Sequence, residues 1–537
     1  MLKWLGGSKP DHPMYNVKAA EKILAGLPDD DPGKTLEEIA GWIESVSQAP
    51  DFKADVRIAV LQLLDDAGCA RQDRLIEQYL GAARIHDMKS RERCQKAYEF
   101  WSALSDAYLA CLASDLKVES GSSSATDEIA LLICRGLRAV AAQERVRHLS
   151  YRPVDKEVWA RLARLFQMAE RTATQARSVM AYKYDGQNTN ATQELLRPLM
   201  LEVVAPESLA PEHVELAART VASIADAFAI GREPSGMLPF CVDLAKPGAP
   251  AQYGDKPPAT PTSRYFGPGR AIARVDELLR FENVGRPSDE RKAGQQFSAW
   301  DRVTVLKHLK RYWGEERPSR RTERVRAQGE LSVLHSLDAI RTVVTQIGTD
   351  QMDDIAETRG AGKQVLTLVP ENVDVTPDTW TEKDLSEGGL GAEVPPQRSG
   401  WVKIGKLCGV RRADSNQWWV GMIRRLDATT GARVSTGIQV LSKTPYSIWL
   451  KRVGTGGNLA SSWATSSGSH RYDYVDAVML VPEIGEGAKS FELVMKPKDY
   501  IPDMVCEALL GDKPRLVRFG AAVDTGEDFV IVSCQWV

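Results

Sequence analysis

The 537-residue chain has no excess of charge of either sign, since 69 lysines and arginines stand against 72 aspartates and glutamates for a formal charge of −3. Such a balance supplies no global field to hold a nucleic-acid polymer or an anionic membrane, so any anion site must be local. Long apolar runs are missing: no stretch approaches the roughly 20 residues of a membrane span, and the opening MLKWLGGSKPDHP lacks a signal-type apolar core. A cytoplasmic protein without a membrane span is expected. The eight cysteines (Cys69, Cys94, Cys111, Cys134, Cys241, Cys408, Cys506, Cys534) include no Cys-x-x-Cys pair and lie mostly in apolar periodic segments, which predicts buried, reduced thiols. Seven histidines without His-Glu-x-x-His give no metal signature, and no Gly-x-Ser-x-Gly elbow or acid–base pair in a motif points to an enzyme.

What is present is apolar material for more than one core, 43% of the residues. From about 16 to 230 it recurs at helical spacing, in segments 35–48, 54–66, 71–84, 90–115, 125–145, 155–173, 192–204 and 211–230. In 90–115, Ala97, Trp101, Leu104, Tyr108 and Cys111 share one helical face, which Phe100 and Leu112 widen. No fixed period or recurring signature links these helices, so residues 1–230 read as an irregular all-α bundle rather than a repeat array.

Composition then shifts. Residues 231–268 are rich in Pro and Gly and read as a linker with one apolar island, Leu238 to Leu244. Two connecting helices are expected in 269–316. Beyond them the chain turns to short Val-, Ile-, Trp- and Tyr-rich runs between Gly or Asp turns, at 330–337, 378–384, 401–411, 418–426, 434–442, 445–453, 474–481, 490–496, 514–521 and 528–537. The fold class is α + β multidomain, an N-terminal helical bundle with a C-terminal β-barrel at 317–450 and an appended β element at 451–537.

Two glycine-bearing segments imitate phosphate loops. PDDDPGKT at 28–35 has Pro28 where the first glycine of G-x-x-x-x-G-K-[ST] belongs, and no strand leads in. Thr35 with Glu38 reads instead as the capping box of the following helix. VGTGGN at 453–458 lies between strands and reads as a hairpin turn.

Two other segments carry chemistry. In RPSRRTERVR, 317–326, Arg320 and Arg324 form R-x-x-x-R with Arg321 between them, and from Lys307 to Arg326 eight basic side chains face three acidic ones. Asp384, Ser386 and Gly389 form D-x-S-x-x-G, where paired glycines exclude a helix and leave backbone exposed. Alone, an R-x-x-x-R is an ordinary solvated turn and the second segment a glycine hairpin. In this order, with the strand GELSVLHSL between them and WVKIGKLCGVRR, WWVGMIRRL and VSTGIQVLS following, residues 317–450 resemble the PilZ family of cyclic di-GMP receptors.

The resemblance implies a six-stranded PilZ-like barrel that binds cyclic di-GMP through Arg320, Arg321, Arg324, Asp384, Ser386 and Gly389, with no other cofactor. The chemistry suits that ligand: guanidinium forks onto guanine O6 and N7 or clamps phosphate, and a carboxylate accepts from the opposite guanine edge. A non-enzymatic receptor passing its signal to an unidentified protein partner through the helical domain is expected. The alternatives are an adaptor or chaperone-like scaffold whose barrel no longer binds nucleotide, and nucleic-acid binding through the basic stretch. One feature departs from the family: Arg324 and Asp384 stand 60 positions apart, so 338–376 reads as an insertion, with a helix from Asp338 to about Gln346.

Overall fold

The computed structural model describes residues 11–82, 88–114, 123–254, 260–284, 296–315, 317–318, 324–344, 375–395, 400–428, 434–453, 474–480, 490–510 and 513–537. It divides into two units, Met1–Ser319 and Arg320–Val537.

The first unit is built on helices α1 (Val17–Leu24), α2 (Pro32–Gln48), α3 (Ala54–Leu80), α4 (Met88–Ser114), α5 (Ser123–Leu149), α6 (Lys156–Arg171), α7 (Ala191–Glu202) and α8 (Pro211–Ser223). The face expected on α4 is buried throughout, Phe100 and Leu112 included, because α4 packs on α2, α3 and α5. Two expectations need correction. The runs 54–66 and 71–84 form one helix, α3; Gly68 is a packing residue there, since a Cβ would stand 2.2 Å from the Phe100 ring. Helix α2 begins a turn earlier than the Thr35–Glu38 box implies, with Pro32 in its first turn and Asp31 as N-cap accepting from the Gly33 and Lys34 amides. Thr35 instead donates to the Pro28 and Asp31 carbonyls.

Residues 231–268 are not a linker. Strands β1 (Ala229–Gly231), β2 (Phe240–Asp243), β3 (Ala251–Gln252) and β4 (Ser263–Gly267) form a sheet of order β1-β4-β2-β3. Pro and Gly exclude a helix but tolerate strands this short at sheet edges, and Phe240, Val242, Leu244 and Phe266 are buried in the core shared with the helices. The expected connecting helices, α9 (Ala271–Val284) and α10 (Ala299–Trp313), join the same core through Val275, Val305, Leu309 and Trp313, so the bundle, the sheet and this helical pair are one unit.

The second unit holds twelve strands among its described residues, in two closed barrels. The first comprises β5 (Val325–His335), β6 (Asp378–Ser386), β7 (Gly389–Val394), β8 (Leu407–Arg412), β9 (Trp419–Ala428) and β10 (Val434–Ser442). The second comprises β11 (Tyr446–Arg452), β12 (Tyr474–Met479), β13 (Ser490–Met495), β14 (Val505–Leu510), β15 (Lys513–Thr525) and β16 (Val530–Trp536). Strands β7 and β14 are absent from the expected set. The appended element is therefore a barrel in its own right, and it starts with β11, inside the range assigned to the first.

Numbering each barrel's strands one to six, both close in the cyclic order one-two-three-six-five-four, all pairs antiparallel. The second barrel repeats the topology of the first. Between them lies a helix the sequence places at the start of the insertion, α11 (337–344). Its Leu337, Ile340, Val343 and Val344 share an apolar cluster with Leu334, Leu407, Val420 and Met422 of the first barrel and Val478, Val494, Phe529 and Ile531 of the second. Ion pairs Arg424–Asp524 (2.6 Å), Lys406–Glu527 (2.6 Å), Lys496–Asp338 (2.8 Å) and Arg341–Asp476 rim this contact. The end expected near Gln346 lies outside the described residues, as does most of VGTGGN.

Candidate functional site on the first barrel

Despite the 60 intervening positions, Arg324 Nη1 donates to Asp384 Oδ1 at 2.7 Å. Antiparallel pairing explains the convergence: β5 and β6 run side by side, with Leu331 opposite Trp380 and Arg326 opposite Asp384, so the insertion leaves and re-enters between paired strand ends. A long loop adds little closure entropy once those ends are fixed by pairing.

The direction of Asp384 is set by a register shift. Glu382 pairs with Ala392 and Asp384 with Gly391, and the extra residue between them bulges β6. Glu382 consequently points into the barrel, where it is 3% exposed and accepts from Arg412 Nε at 3.1 Å. Asp384, two residues on, points out.

The turn that follows is held by its own motif residues. Ser386 Oγ donates to the Gly389 carbonyl at 3.0 Å, and the Val440 amide donates to the Gly388 carbonyl at 3.0 Å. A Cβ on Gly389 would stand 2.8 Å from the Ile438 carbonyl oxygen, so only glycine lets β7 approach β10 this closely.

The pairing registers carry the site across five strands. Residues facing one another on β5, β6, β7, β10 and β9 are Arg326, Asp384, Gly391, Gly437 and Arg425. Two glycines thus form a bare backbone floor between charged side chains. Asp384 leans over it: a Cβ at Gly391 would meet both carboxylate oxygens, at 2.7 and 2.8 Å, while one at Gly437 would lie 3.9 Å from Arg324 Nη2. Beside the floor, Lys383 Nζ donates to Ser435 Oγ at 2.7 Å and pairs with Glu393 at 3.1 Å. Arg324 and Asp384 are both about one-third exposed, so a ligand reaches them without opening the barrel. A flat aromatic ring can lie on such a floor with its edge toward the aspartate and the guanidinium groups.

Of the six residues expected from the sequence, Arg324, Asp384, Ser386 and Gly389 come together here. Arg320 and Arg321 lie outside the described residues. Gly391, Gly437 and Arg425 were not singled out; GLGAEV and VSTGIQV show their small residues plainly, but only the registers reveal that the two glycines are neighbours.

Residues 18–235 match the family model described as cyclic-di-GMP receptor FimW, N-terminal domain. No curated protein matches the chain. The FimW match covers α1 to α8 and β1 and ends well before the arginine turn, so it is independent of the motifs on the first barrel. The two barrels that follow the matched residues are compatible with PilZ-like domains. Among the described residues, no helix is long and apolar enough to cross a membrane.

Proposed function

We propose that the chain is a non-enzymatic cyclic di-GMP receptor whose ligand sits on the Gly391–Gly437 floor of the first barrel. The observation that carries this reading is the Arg324–Asp384 contact over paired glycines. The match of residues 18–235 to the family model of the cyclic-di-GMP receptor FimW N-terminal domain supports it independently.

In this reading Asp384 accepts from a guanine N–H edge, and Arg324, already aligned by Asp384, forks onto a guanine or a phosphodiester. Arg320 and Arg321 supply further phosphate or stacking contacts, and Ser386 and Gly389 hold the turn that presents the aspartate. Each bidentate contact is worth about 1–3 kcal/mol while micromolar affinity requires about 8, so several must act together. Among the described residues, the first barrel offers this. Between β12 and β13 the second barrel reads VPEIGEGAK, with no D-x-S-x-x-G.

We infer that occupancy is reported through the helical unit to a protein partner. Isothermal titration of the full-length chain with cyclic di-GMP tests the receptor reading: saturable heat in the micromolar range is expected. No saturation at tens of micromolar would overturn it and leave an adaptor whose barrel has lost its nucleotide.

A further inference from the structure

The helical unit buries a cluster that the nucleotide reading does not use. Glu144 and His148 stand one turn apart on α5 and so share a face, and Glu202 is the last residue of α7. His148 Nε2 lies 3.2 Å from Glu144 Oε1 and 2.9 Å from Glu202 Oε2. One donor atom from each of the three falls within 4.8 Å of the other two.

We propose that Glu144, His148 and Glu202 bind a divalent transition-metal ion of the zinc class, which staples α5 to the end of α7. Zinc bonds nitrogen at about 2.0–2.1 Å and carboxylate oxygen at about 2.0–2.2 Å, so neighbouring ligand atoms in a tetrahedral site stand roughly 3.3 Å apart. The two His–Glu separations are within about half an ångström of that, a shift side-chain rotation supplies. Imidazole with carboxylates is a donor set that zinc accepts, and water completes the fourth position.

Two features separate the cluster from an ordinary ion pair. Glu144 is fully buried, and while its Oε1 faces His148, its Oε2 has no hydrogen-bond partner. A buried carboxylate oxygen without a donor is costly unless a cation takes it. A divalent ion with neutral imidazole and two carboxylates also leaves no net charge in the interior. The linear sequence hid the site because its third ligand lies on another helix.

The test uses full-length protein stripped with EDTA and dialysed against Zn2+. One equivalent of zinc should survive desalting and raise the melting temperature by several degrees. X-ray absorption at the zinc edge should show a nitrogen and oxygen shell without sulfur. Glu202→Gln, at the least buried ligand, should weaken retention at least tenfold with an unchanged far-UV spectrum. No retained zinc, a sulfur shell reporting the cysteines, or equal retention by Glu202→Gln would each overturn the assignment. Should Glu202→Gln fail to fold, the absorption spectrum and metal count of the wild-type protein decide alone.

Discussion

The two barrels share a strand order and differ in what their equivalent faces are used for. Across β6, β7, β10 and β9 the outward row of the first barrel is Asp384, Gly391, Gly437 and Arg425. Across the corresponding strands β12, β13, β16 and β15, the second barrel has Val478, Val494, Ile531 and Asp524 in register. Three of those four side chains are apolar and buried against α11 and the first barrel. One fold thus carries two surfaces: a polar row floored by two glycines in one copy, and an apolar row packed on α11 and the first barrel in the other.

The comparison is broken most severely at α11. Ile340 is fully buried between the barrels and lies 3.2 Å from the Cβ position of Gly409. Ile340→Ala should destabilise the second unit by about 3 kcal/mol, since large-to-small changes at such sites cost about 2–5. Chemical denaturation should show the loss, and a change below about 1 kcal/mol would mean that α11 is not the wedge.

A contrast between the units comes next. His308 in the helical unit is buried around Nε2, which donates to the Val204 carbonyl at 2.7 Å, and burial lowers its pKa from the ordinary 6.5 to about 4. Between those values the unfolded chain carries a proton that the folded chain does not, so this contribution to stability is complete above pH 6.5 and is lost as pH falls toward 4. Discounted for partial exposure, the loss is roughly 2 kcal/mol. His308→Phe should flatten that part of the pH profile of the helical unit, read by urea melts between pH 4 and 7; an unchanged slope would remove His308 as the cause.

Smaller effects sharpen the contrast between barrel faces. Arg324→Ala should weaken cyclic di-GMP binding about thirtyfold, or about 2 kcal/mol, with the melting curve unmoved, while Arg515→Ala on the second barrel should leave affinity unchanged. Equal losses would mean that the ligand does not distinguish the barrels. Gly391→Ala should cost about fivefold in affinity, because the added methyl pushes the Asp384 carboxylate off the floor; this mild substitution tests the floor while leaving every motif residue in place.

Much of this was legible in the sequence wherever side-chain pattern alone decides the structure. The α4 face, most strands and the two motifs follow from apolar spacing and turn chemistry. What escaped depends on partners distant in the chain. Gly68 resembles a helix break until Phe100 is seen against it. Strand β7, GLGAEV, has too few large side chains to show alternation, and its glycines are explained only by Asp384 above them and by the Ile438 carbonyl beside them. Closure of the second barrel required β14, whose VCEALL has no alternating pattern. The Pro- and Gly-rich stretch folds as a sheet because a few aromatic side chains find a core already built by helices.

Hydrogen–deuterium exchange of the full-length chain, with and without cyclic di-GMP, tests the central claim most directly. Ligand-dependent protection is predicted across the turn and strand 384–391 and at 434–438, with 446–536 unaffected. Protection confined to the second barrel, or none at a concentration where titration shows binding, would contradict the assignment of the ligand to the glycine floor.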